Sequence, residues 1–390
     1  MAVTLAVVFL LLAIHPFVTY PVTLYVARAV IGRPSGRGTG GLTPPGALPS
    51  MAICVSAYNE ESVIVAKAEN LLALQKTIPA CELLIYVDAA SDRTAALLDA
   101  YRDRMTIVVG NVRQGKSYGL NQLVARSTAE ILVFTDANVM VDDNALVEIG
   151  EQFSRPEVGC VCGHLKFRNA GESATAAAGN AYWRLEDLIR RLESDTFGIV
   201  GVDGSLFAAR RELYPVVPPD IIDDFYVSMK VLLGGHKVVH APKAFAFERL
   251  GSDAKEEFGR KVRIACQAFN VHRLLWPEIC AAPPGVFYAY VSHRLLKWLI
   301  IYNLGASALF ILIAACAFLM PTTVAALALG VCVVMLLSWV LDLAPARQAA
   351  SLILGFAGAG WGVVRSLRGD RFQVWNPIST ARQDGGSKNL

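Results

Sequence analysis

Charge is scarce in this sequence. Only 18% of its 390 residues are charged, against 54% hydrophobic, and the mean hydropathy is +0.43. That balance is too apolar for an ordinary soluble enzyme. The formal net charge of +3 is too small to argue for nucleic acid as a partner. Eight cysteines (Cys54, Cys81, Cys160, Cys162, Cys266, Cys280, Cys316 and Cys332) show no zinc-ligand spacing and no disulfide framework. They fit a reducing cytoplasm for the middle of the chain. Histidine is scarce too, with six scattered copies, so no histidine-based catalytic motif is legible.

The apolar excess lies at the two ends. Residues 2–27 form a nearly unbroken hydrophobic run, longer than the ~20 residues that cross a bilayer. His15, Pro16 and Pro21 interrupt it, but prolines are tolerated in membrane helices. A cleaved signal peptide would carry an early positive region, whereas the first cationic side chain here is Arg28. Arg28, Arg33 and Arg37 follow the run, which places the N-terminus outside and the next domain in the cytosol. Near the other end, residues 300–319 and 324–341 read as two further spans. Residues 351–364 are short and Gly-rich, a tilted or re-entrant piece expected not to cross. The expected division is a transmembrane helix over 1–30, a linker over 31–49 and a catalytic domain over 50–275. An interfacial segment (276–298), transmembrane or re-entrant helices (299–367) and a basic tail (368–390) follow.

Between the ends, short apolar strands alternate with polar-faced helices. Strands are expected at 51–56, 82–87, 106–109 and 131–135, with helices at 60–74, 91–101 and 115–126. Further strands are read at 158–167, 202–209 and 237–248, and helices at 178–194, 221–233 and 255–273. Such alternation implies a doubly wound, mostly parallel α/β sheet. Polar groups follow three of the strands: Tyr58, Asn59 and Glu60; Asp88 and Asp92; Asp136 and Asn138. Strand ends of such sheets share one ligand crevice. A carboxylate at Asp136, two residues from the Asn138 oxygen, suits a hard divalent cation on phosphate oxygens. The plainer alternative is that Asp136 caps a turn.

These landmarks, in this order, resemble the membrane-embedded glycosyltransferase family 2 enzymes of GT-A fold. That group includes hyaluronan, chitin, cellulose, poly-N-acetylglucosamine and rhizobial chitooligosaccharide synthases. Ser56-Ala57-Tyr58-Asn59-Glu60 resembles their P-x-Y-N-E segment, with a departure at the Pro position. Residues 87–94 are similar to D-G-S-x-D-G-T, which implies that Asp88 and Asp92 serve the nucleotide. Gly115-Lys116 and Asn121 match a G-K-x-x-x-x-N element beside it. Asp136-Ala137-Asn138 takes the place of the metal-binding D-x-D, with one charge missing. Asp223-Asp224 stands at E-D, whose second acid is the base, so the resemblance makes Asp224 the base and Asp223 its neighbour. Arg260 and Arg263 match Q/R-x-x-R-W, but Ile264 replaces the Trp that helps hold acceptor sugar in processive enzymes.

The resemblance implies a GT-A nucleotide-sugar-binding domain flanked by transmembrane helices. It would be an inverting β-glycosyltransferase of the bacterial inner membrane, multi-pass, with its catalytic domain cytoplasmic. The donor would be a UDP-sugar with Mg2+ or Mn2+, and the acceptor a carbohydrate or a lipid-linked one in polysaccharide synthesis. Polysaccharide export machinery is an implied partner; nucleic acid is not. Alternatives stay open. Asp223 and Asp224 can cap a helix, Asp92 likewise, and Lys116, Arg260 and Arg263 can be solvated or lipid-facing cations. Activity can be a single addition to a membrane lipid, or binding without catalysis. A nucleotidyltransferase would explain neither the acid pair nor the spans.

Overall fold

The computed structural model describes residues 1–31, 48–167, 174–249, 254–341 and 344–374. Most of the expected linker, and the tail beyond residue 374 with Arg382, lie outside the described residues.

Helices α1 (Ala2–Ile14) and α2 (Thr19–Ile31) come first, then β1 (Met51–Ala57), α3 (Ile64–Thr77), β2 (Glu82–Val87) and α4 (Thr94–Leu98). After them run β3 (Thr106–Val109), α5 (Lys116–Val124), β4 (Ile131–Thr135), β5 (Met140–Val141) and α6 (Ala145–Gln152). The domain is completed by β6 (Val158–Phe167), α7 (Ala174–Ser194), β7 (Leu206–Arg210), α8 (Asp223–Leu233), β8 (Lys237–Glu248) and α9 (Ala254–Cys280). Two helices start later than the sequence suggested. Asn59 takes up φ 52°, so the chain turns before α3 begins at Ile64. The expected helix over 91–101 is shortened to α4 and a single 3-10 turn, Asp99–Tyr101.

The eight strands form one sheet in the order β3-β2-β1-β4-β7-β6-β8-β5. β1 is apolar almost throughout and buried on both faces, as a central parallel strand must be. It pairs in parallel with β2 on one side and β4 on the other. β7 runs antiparallel between β4 and β6, and β5 antiparallel on β8, so the sheet is mixed. One face is covered by α3 and α6 through Ile64, Leu71 and Ile149 packed on Ile53, Val55 and Val133. The other lies under α5, α7, α8 and α9, with Leu120, Ile189 and Phe225 near Cys54, Phe134 and Phe207. The chain winds outward from β1 to β3 and then returns to β4 on the far side of β1. The strand order therefore reverses between β1 and β4, and a crevice opens beyond their carboxyl ends.

The flanking helices differ from expectation at both ends. The N-terminal run is not one rod: α1 and α2 meet at 62°. Pro16 lies in the break, where it has no N–H to continue α1, and Pro21 lies in the first turn of α2, where proline is tolerated. α1 lies along α12 (Ile300–Phe318), with Phe9 stacked on Phe310 and the Ser307 hydroxyl donating to the Ala6 carbonyl. α2 docks on α7, where Tyr20 donates to Glu193 at 2.6 Å and Arg28 pairs with Asp195. The helices between them are α10 (Pro284–Tyr290) and α11 (Leu296–Trp298). His293, read as interfacial, is buried between Glu193 (2.8 Å) and Glu186 (3.2 Å), and Lys297 also reaches Glu186 (2.5 Å). α13 (Pro321–Val340) and α14 (Ala344–Leu367) complete the order.

The Gly-rich piece expected not to cross is an unbroken helix. Among the described residues, 300–318 and 348–367 are each long and apolar enough to cross a membrane, and the bent α1–α2 pair makes a third candidate. Glycine serves packing here and does not break the helix. A Cβ at Gly362 would meet Ala265 Cβ and the Val262 carbonyl, both at 2.6 Å, so its absence lets α14 press against α9. Residues 370–373 then fold back over α9, where Gln267 and Asn270 donate to the Phe372 and Asp370 carbonyls.

Candidate active site

The crevice is built from the strand ends inward. Past β1, the Asn59 amide oxygen accepts from the Ser91 N–H (2.8 Å), tying the first two strand ends together. Past β2, the buried Asp88 carboxylate accepts from the N–H groups of Gln114 and Gly115, both at 2.8 Å. Tyr58 faces the Arg113 guanidinium, 3.6 Å from the ring centroid. Gly115 has φ 89°, where an L side chain is strained, and this turn starts α5. Lys116, the first residue of α5, reaches Asp136 beyond β4 at 2.8 Å.

Lys116 also stands 3.4 Å from Asp223 Oδ2 at the start of α8. That contact is ionic, since this oxygen has no hydrogen-bond partner of proper geometry. One ammonium therefore joins three elements that are far apart in sequence. Burial works against its charge, but Asp136, Asp223 and Asp224 outweigh that and hold its proton firmly. Burial also works against the charged form of the acids, which for a carboxyl group means a raised pKa. Asp223 is raised by burial, with Lys116 opposing and Asp136 adding. Asp224 is pushed up to about 7 by burial and then by the Asp223 charge. Asp224 Oδ1 accepts from the Phe225 N–H at 2.6 Å. Its other oxygen lies over Gly204, where a Cβ would come within 2.7 Å.

Asn138, the residue that lacks the expected charge, donates to Glu248 Oε1 at 3.2 Å. Glu248 ends β8 and was not singled out by the sequence. Its acid is raised to about 7 by burial, with Arg260 opposing from 3.9 Å and Asp136 adding. The local acidity lost at Asn138 thus returns from a residue more than a hundred positions away. Arg263, one helical turn from Arg260, is lowered to about 10 by burial and by Arg260, while Asp136 and Asp224 pull it back up. Both arginines of α9 therefore feel the acids of the crevice.

Other expected residues are occupied elsewhere. Asp92 accepts from the Thr94 N–H (2.9 Å), the Thr94 hydroxyl (2.5 Å) and the Glu61 N–H (3.0 Å), the capping role that was its alternative. Asn121 is engaged by Val217 and Tyr214: its amide donates to the Val217 carbonyl and accepts from the Val217 N–H and the Tyr214 hydroxyl. It fixes the loop before α8. Glu60 is buried, and its backbone N–H donates to the Thr94 hydroxyl.

Three contributors besides Glu248 were not legible. Lys67, fully buried on α3, donates to the Val139 carbonyl (2.6 Å) and to Thr135 (3.3 Å), which braces the turn carrying Asp136. Asp203 and Arg190 pair at 3.4 Å, and Asp203 is lowered because Arg190 and Ser205 outweigh its burial. A lysine among apolar residues in a helix looks like an exposed charge until the fold buries it. The one sequence sign was Gly204 beside Asp203, a small residue where two segments approach.

Eight strands wound about a switch-point crevice, with acids and a lysine at its mouth, define a GT-A domain. Within that class, residues 52–216 match the family model described as Glycosyl transferase family 2. The match ends before Asp223 and Asp224. A poly-beta-1,6-N-acetyl-D-glucosamine synthase of Staphylococcus epidermidis is 24% identical over 237 residues, 59% of this chain and 57% of that protein. That of Staphylococcus aureus strain COL is 25% identical over 207 residues, covering 51% and 50%. The chain thus spans about half the length of the curated relatives it matches. The solved mannosyltransferase PcManGT from Pyrobaculum calidifontis, in complex with GDP-Man and Mn2+, shares the fold. Its TM-score is 0.68 at 20% identity, over 94% of this chain and 99% of that one.

Proposed function

We propose that the chain is an inverting β-glycosyltransferase that moves a sugar from a UDP-sugar to a carbohydrate or lipid-linked acceptor. The observation that carries this is the Lys116 bridge between Asp136 and Asp223 with the raised acid of Asp224 beside it. The reaction needs a cation facing the departing diphosphate and a base facing the acceptor hydroxyl, and this arrangement offers both.

Asp88, held by two backbone N–H groups, and Tyr58 line the nucleotide end, with the β1 turn at Asn59 and Glu60 behind them. Lys116, Arg260 and Arg263 supply positive charge for the diphosphate. Asp224 accepts the acceptor hydroxyl proton as that oxygen bonds to the anomeric carbon. The bond from that carbon to the diphosphate breaks on the opposite face, and UDP leaves. Oxygen donors at Asp136, Asn138 and Glu248 suit Mg2+ or Mn2+. Such an ion would neutralise charge on the leaving phosphates. The names of the relatives make N-acetylglucosamine the first sugar to try.

The apolar helices support a multi-pass protein of the bacterial inner membrane with this domain on the cytoplasmic side, delivering product to export machinery. The proposed domain limits are those of the sequence reading, with α14 added to the spans. Ile264, in the position of an acceptor-holding Trp, favours a second reading in which one sugar is added per acceptor. Membranes given labelled UDP-N-acetylglucosamine, UDP-glucose and UDP-glucuronate with Mn2+ test both readings. A polymer ladder supports the processive form and a single-sugar lipid adduct the other. No transfer from any nucleotide sugar, GDP-mannose included, overturns the proposal.

Gly204→Ala supplies a sharper check. Its added methyl would crowd the Asp224 carboxylate, a side-chain tip that can swing away at little folding cost. Misplacing a reacting group by about 1 Å costs up to ~10²-fold in rate. The variant is therefore expected to keep its thermal midpoint and KM for donor while kcat falls at least ~10-fold.

A further inference from the structure

Away from the crevice, two histidines and an aspartate converge where α7 crosses the sheet. His164 comes from β6, His240 from β8 and Asp187 from α7, and their ligand atoms all lie within 4.8 Å of one another. Asp187 Oδ1 is 3.1 Å from His164 Nδ1 and 3.5 Å from His240 Nε2. Neither approach has hydrogen-bond geometry: His164 Nδ1 and both ring nitrogens of His240 are buried without a hydrogen-bond partner. The His240 side chain is only 2% exposed. Buried polar atoms nearly always find partners, so two histidines that each turn an orphaned ring nitrogen towards one carboxylate require an explanation.

We infer that His164, Asp187 and His240 form a second metal site, for a first-row transition ion of the zinc type. Tetrahedral zinc with Zn–N and Zn–O bonds near 2.0–2.1 Å sets its ligand atoms about 3.3 Å apart. The distances of 3.1 and 3.5 Å bracket that edge. Imidazole nitrogen with one carboxylate selects zinc-like ions over Mg2+, which prefers all-oxygen sites. Asp187 is also held from outside, since Arg191 pairs with its other oxygen at 2.7 Å. A group behind a ligand in this way fixes its orientation. The neighbouring cation Arg190 is directed at Asp203 and does not compete for Asp187. His164 and Asp187 stay partly exposed, which leaves a way in and a fourth position for water.

The ion would clasp α7 to β6 and β8. These elements also carry residues that the crevice draws on: Arg190 on α7, paired with Asp203, and Glu248 at the end of β8. The site is thus a structural clasp on the β6–β8 side of the sheet, chemically distinct from the oxygen donors at Asp136.

Full-length protein, purified in detergent, incubated with Zn2+ and dialysed against metal-free buffer, tests this by elemental analysis and thermal melting. Stoichiometric zinc is expected in the wild type and in Asp136→Asn, and Zn2+ should raise the midpoint of both, as a ligand of the folded state must. His164→Gln and Asp187→Asn should retain background zinc only and show no midpoint shift. Co2+ in place of zinc should give the visible absorption of a tetrahedral site in the wild type and not in His164→Gln. Should Asp187→Asn fail to fold, His164→Gln decides, because its strand position is only partly buried. Background zinc in the wild type, or equal zinc in His164→Gln, overturns the assignment.

Discussion

Asp224→Asn is expected to lower turnover by roughly 10²–10⁴, the usual worth of a positioned base. The substitution is nearly isosteric. The amide oxygen can still accept from the Phe225 N–H, as Asp224 Oδ1 does at 2.6 Å, so α8 keeps its start. It also removes one of two adjacent acids that burial disfavours, so the thermal midpoint should hold or rise. Binding of UDP, measured by calorimetry, should stay near wild type, since the proposed base would act on the acceptor and not on the nucleotide. A turnover within twofold of wild type would remove the base assignment.

The same residue is expected to set the pH dependence. Burial and the Asp223 charge raise the Asp224 acid to about 7. A base works only when deprotonated, so kcat/KM should fall as pH drops below about 7 and level off above it. In Asp224→Asn the residual rate should lose that acid limb. Glu248 titrates in the same region, so a limb that survives in Asp224→Asn and vanishes in Glu248→Gln would assign the proton to Glu248.

Asp136→Asn carries the second large effect. It should cost roughly 10²–10³ in transfer, comparable to removing one preorganised group that stabilises developing charge. Activation by Mn2+ should largely disappear, because an amide oxygen is a far weaker ligand for a hard cation. Folding should be little affected. Asp136 is 36% exposed on its side chain, and Lys116 keeps Asp223 at 3.4 Å when Asp136 loses its charge. Initial rates across a Mn2+ titration, compared with wild type, measure this directly. Full Mn2+ activation in the variant would place the ion elsewhere.

The candidate site was only partly legible in the sequence, for a geometric reason. Asp88, Asp136 and Lys116 flank parallel strands, and all parallel strands of one sheet end on one edge, so their convergence could be foreseen. Asp92 and Asn121 fitted the same motifs by spacing, but spacing does not reveal where a hydrogen bond goes. Both are engaged by backbone groups of neighbouring loops. Glu248 was hidden because it reaches the crevice through pairing. Met140 lies opposite Phe247 in the antiparallel β5–β8 ladder, and one step further along sets Glu248 beside the turn that holds Asn138.

Sequence alone determined the α/β alternation, the apolar ends and the acids at strand termini, since each follows from local pattern and chain direction. It also pointed to Asp223 and Asp224 at a helix start, which the structure shows at the head of α8. Tertiary packing decided the rest. It bent the N-terminal run at its prolines, drew a Gly-rich segment into one helix against α9, and buried Lys67 under the Asp136 turn. It also brought His164, Asp187 and His240 from three elements to one point. Such features depend on which surfaces meet across the fold, and residues far apart in a chain carry no local mark of their future neighbours.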